Sequence, residues 1–235
     1  MRILLCLPFL LIGLTGCLDC VSPEGEITEE EHDLGNFFGV TNECSANIIL
    51  IHNPSLKLPK VTTVTYENIQ KLINFNIGGG GQLEIGVNQC LLNNDKFDII
   101  IEGRMMQTVR IDGSGNVRSE GPYDGNLLDI YIDGSGDAEF SGNISSVGAY
   151  IDGSGDITLS GNSTYLTAEI DGSGNINAQN LVTSVTDVSI DGSGDVAVNV
   201  SEELNVKIDG SGDVRYKGKP KLKKSIDGSG DVKRL

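Results

Sequence analysis

Ile151-Asp152-Gly153-Ser154-Gly155-Asp156 is one of seven copies of a six-residue pattern, Ile-Asp-Gly-Ser-Gly-(Asp/Asn), and the spacing of those copies points to the architecture. The copies begin at Ile111, Ile132, Ile151, Ile170, Ile190, Ile208 and Ile226, at intervals of 21, 19, 19, 20, 18 and 18 residues. Self-similarity near a 20-residue period marks a stacked-repeat architecture. The flanks are strand-like. In Leu166-Thr-Ala168-Glu-Ile170, Val196-Ala-Val198-Asn-Val200 and Leu204-Asn-Val206-Lys-Ile208, every second residue is apolar. Period-two alternation sends one side chain inward and the next outward. No segment between copies has helical periodicity, so a coil of about 19 residues must close by turns alone. The expected fold class is therefore all-β, a single-chain parallel β-helix (β-solenoid) with Ile-Asp-Gly-Ser-Gly-(Asp/Asn) turns. The variable spacing falls at second turns such as Ser160-Gly161-Asn162 and Lys217-Gly218-Lys219-Pro220.

Within each copy, the two glycines are expected to allow positive φ and a sharp corner. Asp and Ser are expected to accept backbone N–H groups locally, as in Asx-turns. Parallel coils stack at about 4.8 Å. The second-position residues Asp112, Asp133, Asp152, Asp171, Asp191, Asp209 and Asp227 then form one column. The sixth-position residues Asn116, Asp137, Asp156, Asn175, Asp195, Asp213 and Asp231 form another. Neighbouring carboxylates at that spacing repel by about 0.9 kcal/mol in bulk water. Hydrogen bonds from Ser and Gly amides, or bound Ca²⁺, would offset this. The calcium solenoid repeat has a nine-residue period and a different glycine pattern, and Asn replaces Asp at 116 and 175. A structural ladder is the favoured reading, with Ca²⁺ the only candidate cofactor.

Upstream, 36–110 is less regular. Ala46–His52, Val61–Tyr66, Gln82–Val87 and Phe97–Ile101 read as strands, Gly78–Gly81 as a hairpin turn, and Glu67–Ile73 as a short helix. Residues 1–16 form a signal peptide: Met1-Arg2, an apolar run from Ile3 to Leu14, then Leu14-Thr15-Gly16-Cys17. This matches a bacterial lipobox, with cleavage before Cys17 and acylation (palmitate among the chains) anchoring the protein durably in the cell envelope. An outer-membrane location is expected. Residues 17–35 are acidic and read as a flexible tether. Of the five cysteines, Cys44 and Cys90 flank strand-like runs and are the favoured disulfide, leaving Cys20 free in the tether.

The net charge of −16 is unevenly placed. Residues 207–235 carry nine Lys/Arg against four Asp/Glu, and the rest is strongly acidic. Such a surface excludes nucleic acid as the partner. The basic run Lys217, Lys219, Lys221, Lys223 and Lys224 reads as protection of an exposed last strand. Its alternative is contact with acidic surface polymers. With no Trp and few aromatics, sugar-stacking platforms are scarce, although six Tyr remain.

Phe37-Phe38-Gly39-Val40, Asn47-Ile-Ile-Leu-Ile51, Tyr66-Glu-Asn-Ile-Gln-Lys-Leu-Ile73, Gln82-Leu-Glu-Ile-Gly-Val87 and the repeated turn together resemble the auto-transporter adhesin "head GIN" domain family over about residues 36–235. The resemblance implies a right-handed β-helix of exported proteins, often behind lipoprotein signals. It supplies no catalytic residue. The expected role is a non-enzymatic adhesin-like or scaffold lipoprotein with a surface glycan or protein as ligand. The alternatives are a carbohydrate-active β-helix enzyme and a calcium-binding surface module. A catalytic carboxylate pair should be singular, whereas these carboxylates recur in every coil. His32 and His52, the only histidines, lie outside the repeats.

Overall fold

The computed structural model describes residues 20–92, 95–104 and 106–235. Cys17 and the signal segment lie outside them. The chain runs β1 (Ile27–His32), β2 (Gly39–Asn42), β3 (Asn47–His52), β4 (Lys60–Tyr66), α1 (Glu67–Gln70), β5 (Ile73–Ile77), β6 (Gln82–Val87), β7 (Phe97–Gly103), β8 (Thr108–Ile111), β9 (Val117–Glu120) and β10 (Gly125–Ile132). It continues through β11 (Ala138–Ile151), β12 (Ile157–Ile170), β13 (Ile176–Ile190), β14 (Val196–Gly210), β15 (Val214–Gly218), β16 (Lys221–Gly228) and β17 (Val232–Arg234). From β8 onward each coil lies parallel on its predecessor, giving the expected β-solenoid of about seven turns with coils of about 19 residues.

Two files of aliphatic side chains flank the corners within the core of the stack. The leading isoleucines pair in sequence from Ile111 to Ile226. The residues after the corner, Val117, Ala138, Ile157, Ile176, Val196, Val214 and Val232, pair likewise. All but Ile226, in the last coil, are buried. Each buried Ile or Val contributes about 1.5–3 kcal/mol relative to exposure. Buried positions switch parity between Leu159 and Leu166, which locates the second turn of that coil. The irregular spacing is absorbed near there: pairing slips between Thr158 and Ser160, and between Ala178 and Val182.

The first coils are laid down out of chain order. β2 and β3 lie between β6–β7 on one side and β8–β9 on the other, all parallel. The chain thus forms a coil, builds the next one outward, and crosses back to start the regular stack. Antiparallel strands close this end: β4 pairs β7, β1 pairs β4, and β5 pairs β6 through the Gly78–Gly81 hairpin.

Three sequence expectations are corrected. The acidic segment is not a free tether from residue 20 onward. All six residues of β1 pair with β4, and His32 Nε2 lies 2.9 Å from Thr63 Oγ1 with its ring against Phe75. Burial lowers the pKa of this imidazole. An edge strand needs only backbone partners, so Glu29, Glu30 and Glu31 remain solvated while the ladder forms.

The disulfide is Cys20–Cys90, and among the described residues Cys44 is the free thiol. Val21 N–H donates to Cys90 O (2.8 Å) and Leu92 N–H to Val21 O (2.9 Å), which sets Cys20 beside Cys90. Cys44 instead occupies a corner beneath Gly113, where burial pushes its thiol up to about 11.

Third, of the fourteen motif glycines only Gly210 and Gly228 have positive φ, at 158° and 139°. Glycine is required for another reason. A Cβ on the third-position glycines from Gly134 onward would stand 2.1–2.3 Å from the carbonyl oxygen of the equivalent glycine one coil below. For the fifth position, from Gly136 onward, the distance is 1.9–2.2 Å. Close approach of backbone to backbone, more than left-handed conformation, selects the residue.

Candidate functional site

The corner holds itself through its own backbone. Ser135 N–H donates to Gly113 O, and Ser154, Ser173, Ser193, Ser211 and Ser229 repeat the bond at 2.8–3.1 Å in successive coils. The sixth-position side chains add a second ladder. Asp137 N–H donates to Asn116 Oδ1 (2.8 Å), Asp156 N–H to Asp137 Oδ1 (2.9 Å) and Asn175 N–H to Asp156 Oδ1 (2.8 Å). Asp195, Asp213 and Asp231 continue it at 2.9 Å each. Asp231 Oδ1 accepts from Val232 N–H (2.7 Å) at the open end. These bonds run between coils, whereas the sequence suggested local Asx-turns. The ladder needs an oxygen acceptor and no charge, which is why Asn serves at 116 and 175. One oxygen of each sixth-position carboxylate in the ladder is thereby committed to the protein.

The second-position aspartates line up as expected and face solvent. They border a second outward-facing column that no local sequence pattern marks. The residue just before each leading Ile points outward, and these residues register as Arg110, Tyr131, Tyr150, Glu169, Ser189, Lys207 and Ser225. Tyr131 and Tyr150 stack with ring centroids 4.8 Å apart and planes 11° from parallel. The Arg110 guanidinium lies 4.6 Å from the Tyr131 centroid, a cation–π contact, and also pairs with Asp133. Gly148 makes room for this arrangement. A Cβ there would meet the Tyr150 ring and Asp129 Oδ1 at 2.5 Å. Partial burial raises the pKa of both phenols and of the Asp129 carboxyl.

Beyond Tyr150 the file changes to Glu169 and Ser189, and the surface opens into a groove of about 420 Å³ lined also by Asp152, Asp171 and Asp191. A second groove, of about 330 Å³, follows on the same face, with Lys207, Lys223 and Lys224 at its far side. The face therefore grades from carboxylates to ammonium groups along the solenoid axis. Aligning the repeats on their isoleucines and reading the preceding column would have revealed the tyrosine pair.

A ladder-held parallel β-solenoid with a polar outer face is the class defined by this geometry. The chain belongs to the family described as "Putative auto-transporter adhesin, head GIN domain", which matches residues 36–220. β16 and β17, past that match, continue the same register. The fold is similar to the crystal structure of a "putative adhesin" from Bacteroides fragilis, with TM-score 0.83 and 23% identity over 92% of this chain and 100% of that one. It is also similar to a "putative lipid binding protein" from Parabacteroides distasonis (TM-score 0.74, 22% identity, 92% and 99% covered) and to a "putative adhesin" from the same species (0.71, 20%, 92% and 100%). At these identities the likeness bears on the fold. No curated protein matches the sequence.

Proposed function

We propose that this protein is a non-enzymatic, adhesin-like lipoprotein of the cell envelope, anchored in the outer membrane through acylated Cys17, with its solenoid face presented to a surface glycan or protein. The carrying observation is the continuity of the outer face. Successive coils in register make one rigid surface, on which carboxylates recur coil after coil and none is set apart as a catalytic pair. Membership of an adhesin-described family supports the same reading.

Anchoring would have a geometric consequence. Cys17 precedes the disulfide-held Cys20 by three residues, a reach of at most about 10 Å. The antiparallel end would sit close to the bilayer and the basic last coil would project away from it. Mass spectrometry of the mature N-terminus and membrane fractionation of a Cys17→Ser variant test the anchor. An unmodified N-terminus, or a variant still held in the membrane, overturns it. A glycan and matrix-protein array probed with the full chain in detergent tests adhesion. Binding of a defined ligand supports it, and a blank array removes it in favour of a scaffold role.

A further inference from the structure

The proposed adhesion leaves its ligand unspecified, and the outer face narrows the choice. We infer that the groove beside Tyr150 is a glycan-binding subsite for a neutral or amino-bearing sugar, with one pyranose ring stacked on the open face of Tyr150. This rests on the adhesin-like reading and deepens it.

Tyr131 has Arg110 against one face and Tyr150 against the other, so both of its faces are occupied. Tyr150 is stacked on one side only. On its other side the register places Glu169, then Ser189, and neither supplies a ring. Because Gly148 lets the Tyr150 ring lie against the sheet, the platform is held in place before any ligand arrives. Ordering such a ring on binding would otherwise cost affinity. An aromatic face is electron-rich and attracts the C–H hydrogens of a sugar ring or a cation. Arg110 over Tyr131 already shows this attraction within the molecule.

The carboxylates then restrict the ligand. Among the described residues, Glu169, Asp152, Asp171 and Asp191 have no cationic partner, whereas Asp133 has Arg110. Ionised carboxylates only accept hydrogen bonds, so the ligand must present donors. Hydroxyl and ammonium groups do. Phosphates, sulfates and uronic acids would meet like charge there. Stacked ring plus converging acceptors is the composition of a site for a polyhydroxylated ring.

The test uses the full chain in detergent. The probes are neutral tetrasaccharides of glucose, mannose, galactose and N-acetylglucosamine, together with the fully deacetylated glucosamine tetramer. Because the chain has six Tyr and no Trp, tyrosine emission reports the contact and calorimetry measures the affinity. At least one probe should bind and change that emission. Tyr150→Ala should weaken binding by roughly tenfold or more, and Tyr150→Phe should stay within about threefold of the parent. Glu169→Arg covers the case in which Tyr150→Ala unfolds. Its guanidinium would cap Tyr150 as Arg110 caps Tyr131, blocking the site while leaving the melting temperature intact. Binding unaffected by Tyr150→Ala or Glu169→Arg in a folded protein overturns the subsite. So does the absence of binding to every probe at millimolar concentration. If the probes fail while the array finds another ligand, only the groove assignment falls. If both fail, the adhesin-like reading falls with it.

Discussion

A Cβ added at Gly155 would stand 2.0 Å from the carbonyl oxygen of Gly136, and backbone on backbone cannot give way as a side-chain tip can. Gly155→Ala should therefore destabilise the protein by about 3 kcal/mol, the upper end of overpacking costs. Gly79→Ala, with open space around it, should stay within about 0.5 kcal/mol of the parent. Urea unfolding of the two variants checks this, and equal midpoints would refute the stacking account. Asp156 makes a complementary case. Its Oδ1 accepts both the N–H and the Nδ2–H of Asn175. Asp156→Ala should cost about 2 kcal/mol, the net value of the two lost hydrogen bonds at about 1 kcal/mol each. Asp156→Asn should be nearly neutral, because the acceptor survives. Melting curves of the parent with millimolar Ca²⁺ or with chelator should superpose, since the ladder already commits that oxygen. A rise in melting temperature with Ca²⁺ would restore the calcium module.

At the level of elements, the antiparallel end is tied on by a covalent link as well as by pairing. Cys20 and Cys90 are 70 residues apart in sequence, and closing so long a loop in the unfolded chain corresponds to about 4 kcal/mol in the chain-entropy model. The link holds an edge element whose outward side chains are mostly acidic, so little apolar burial assists it. Reduction should lower the urea midpoint. It should also speed hydrogen exchange selectively in residues 20–32 and 88–92, with β11–β14 retaining full protection. Retained protection in 20–32 after reduction would mean that β1 pairing and the Gln70 Nε2–H bond to Thr28 O (3.0 Å) suffice.

As a whole, the molecule is a stack whose two ends differ. The N-terminal end is closed by antiparallel strands, while among the described residues the last coil has β16 paired with β14 alone and β17 with β15 alone. Leu222 and Ile226 in that coil are only half-buried. An open, partly apolar coil is a template for another chain, and charged lysines blunt it. Lys221, Lys223 and Lys224 are exposed on β16, with Lys223 paired to Glu203 of the coil before. Replacing these three lysines with threonine should increase concentration-dependent self-association over that of the parent in sedimentation velocity. A variant that associates no more than the parent would refute this protective role.

The repeat itself made the solenoid legible. Seven corners recurring every 18–21 residues with period-two flanks point to stacked coils, and the aliphatic files follow from that alternation because each inward position meets its equivalent one coil away. The strands of residues 46–101 were legible for the same local reason. Their order was not. Placement of β2–β3 between β6–β7 and β8–β9 depends on pairings between segments more than forty residues apart, which no local pattern encodes. The partner of Cys90 was hidden similarly, since Val21 must first dock beside Leu91. The glycines were legible as corners, yet the reason for them is a neighbouring carbonyl oxygen that only stacking brings to within 2.3 Å of where a Cβ would stand. The Tyr150 groove belongs to the same kind of fact. Tyr131 and Tyr150 are nineteen residues apart in the chain, and they meet only because one coil is one period long.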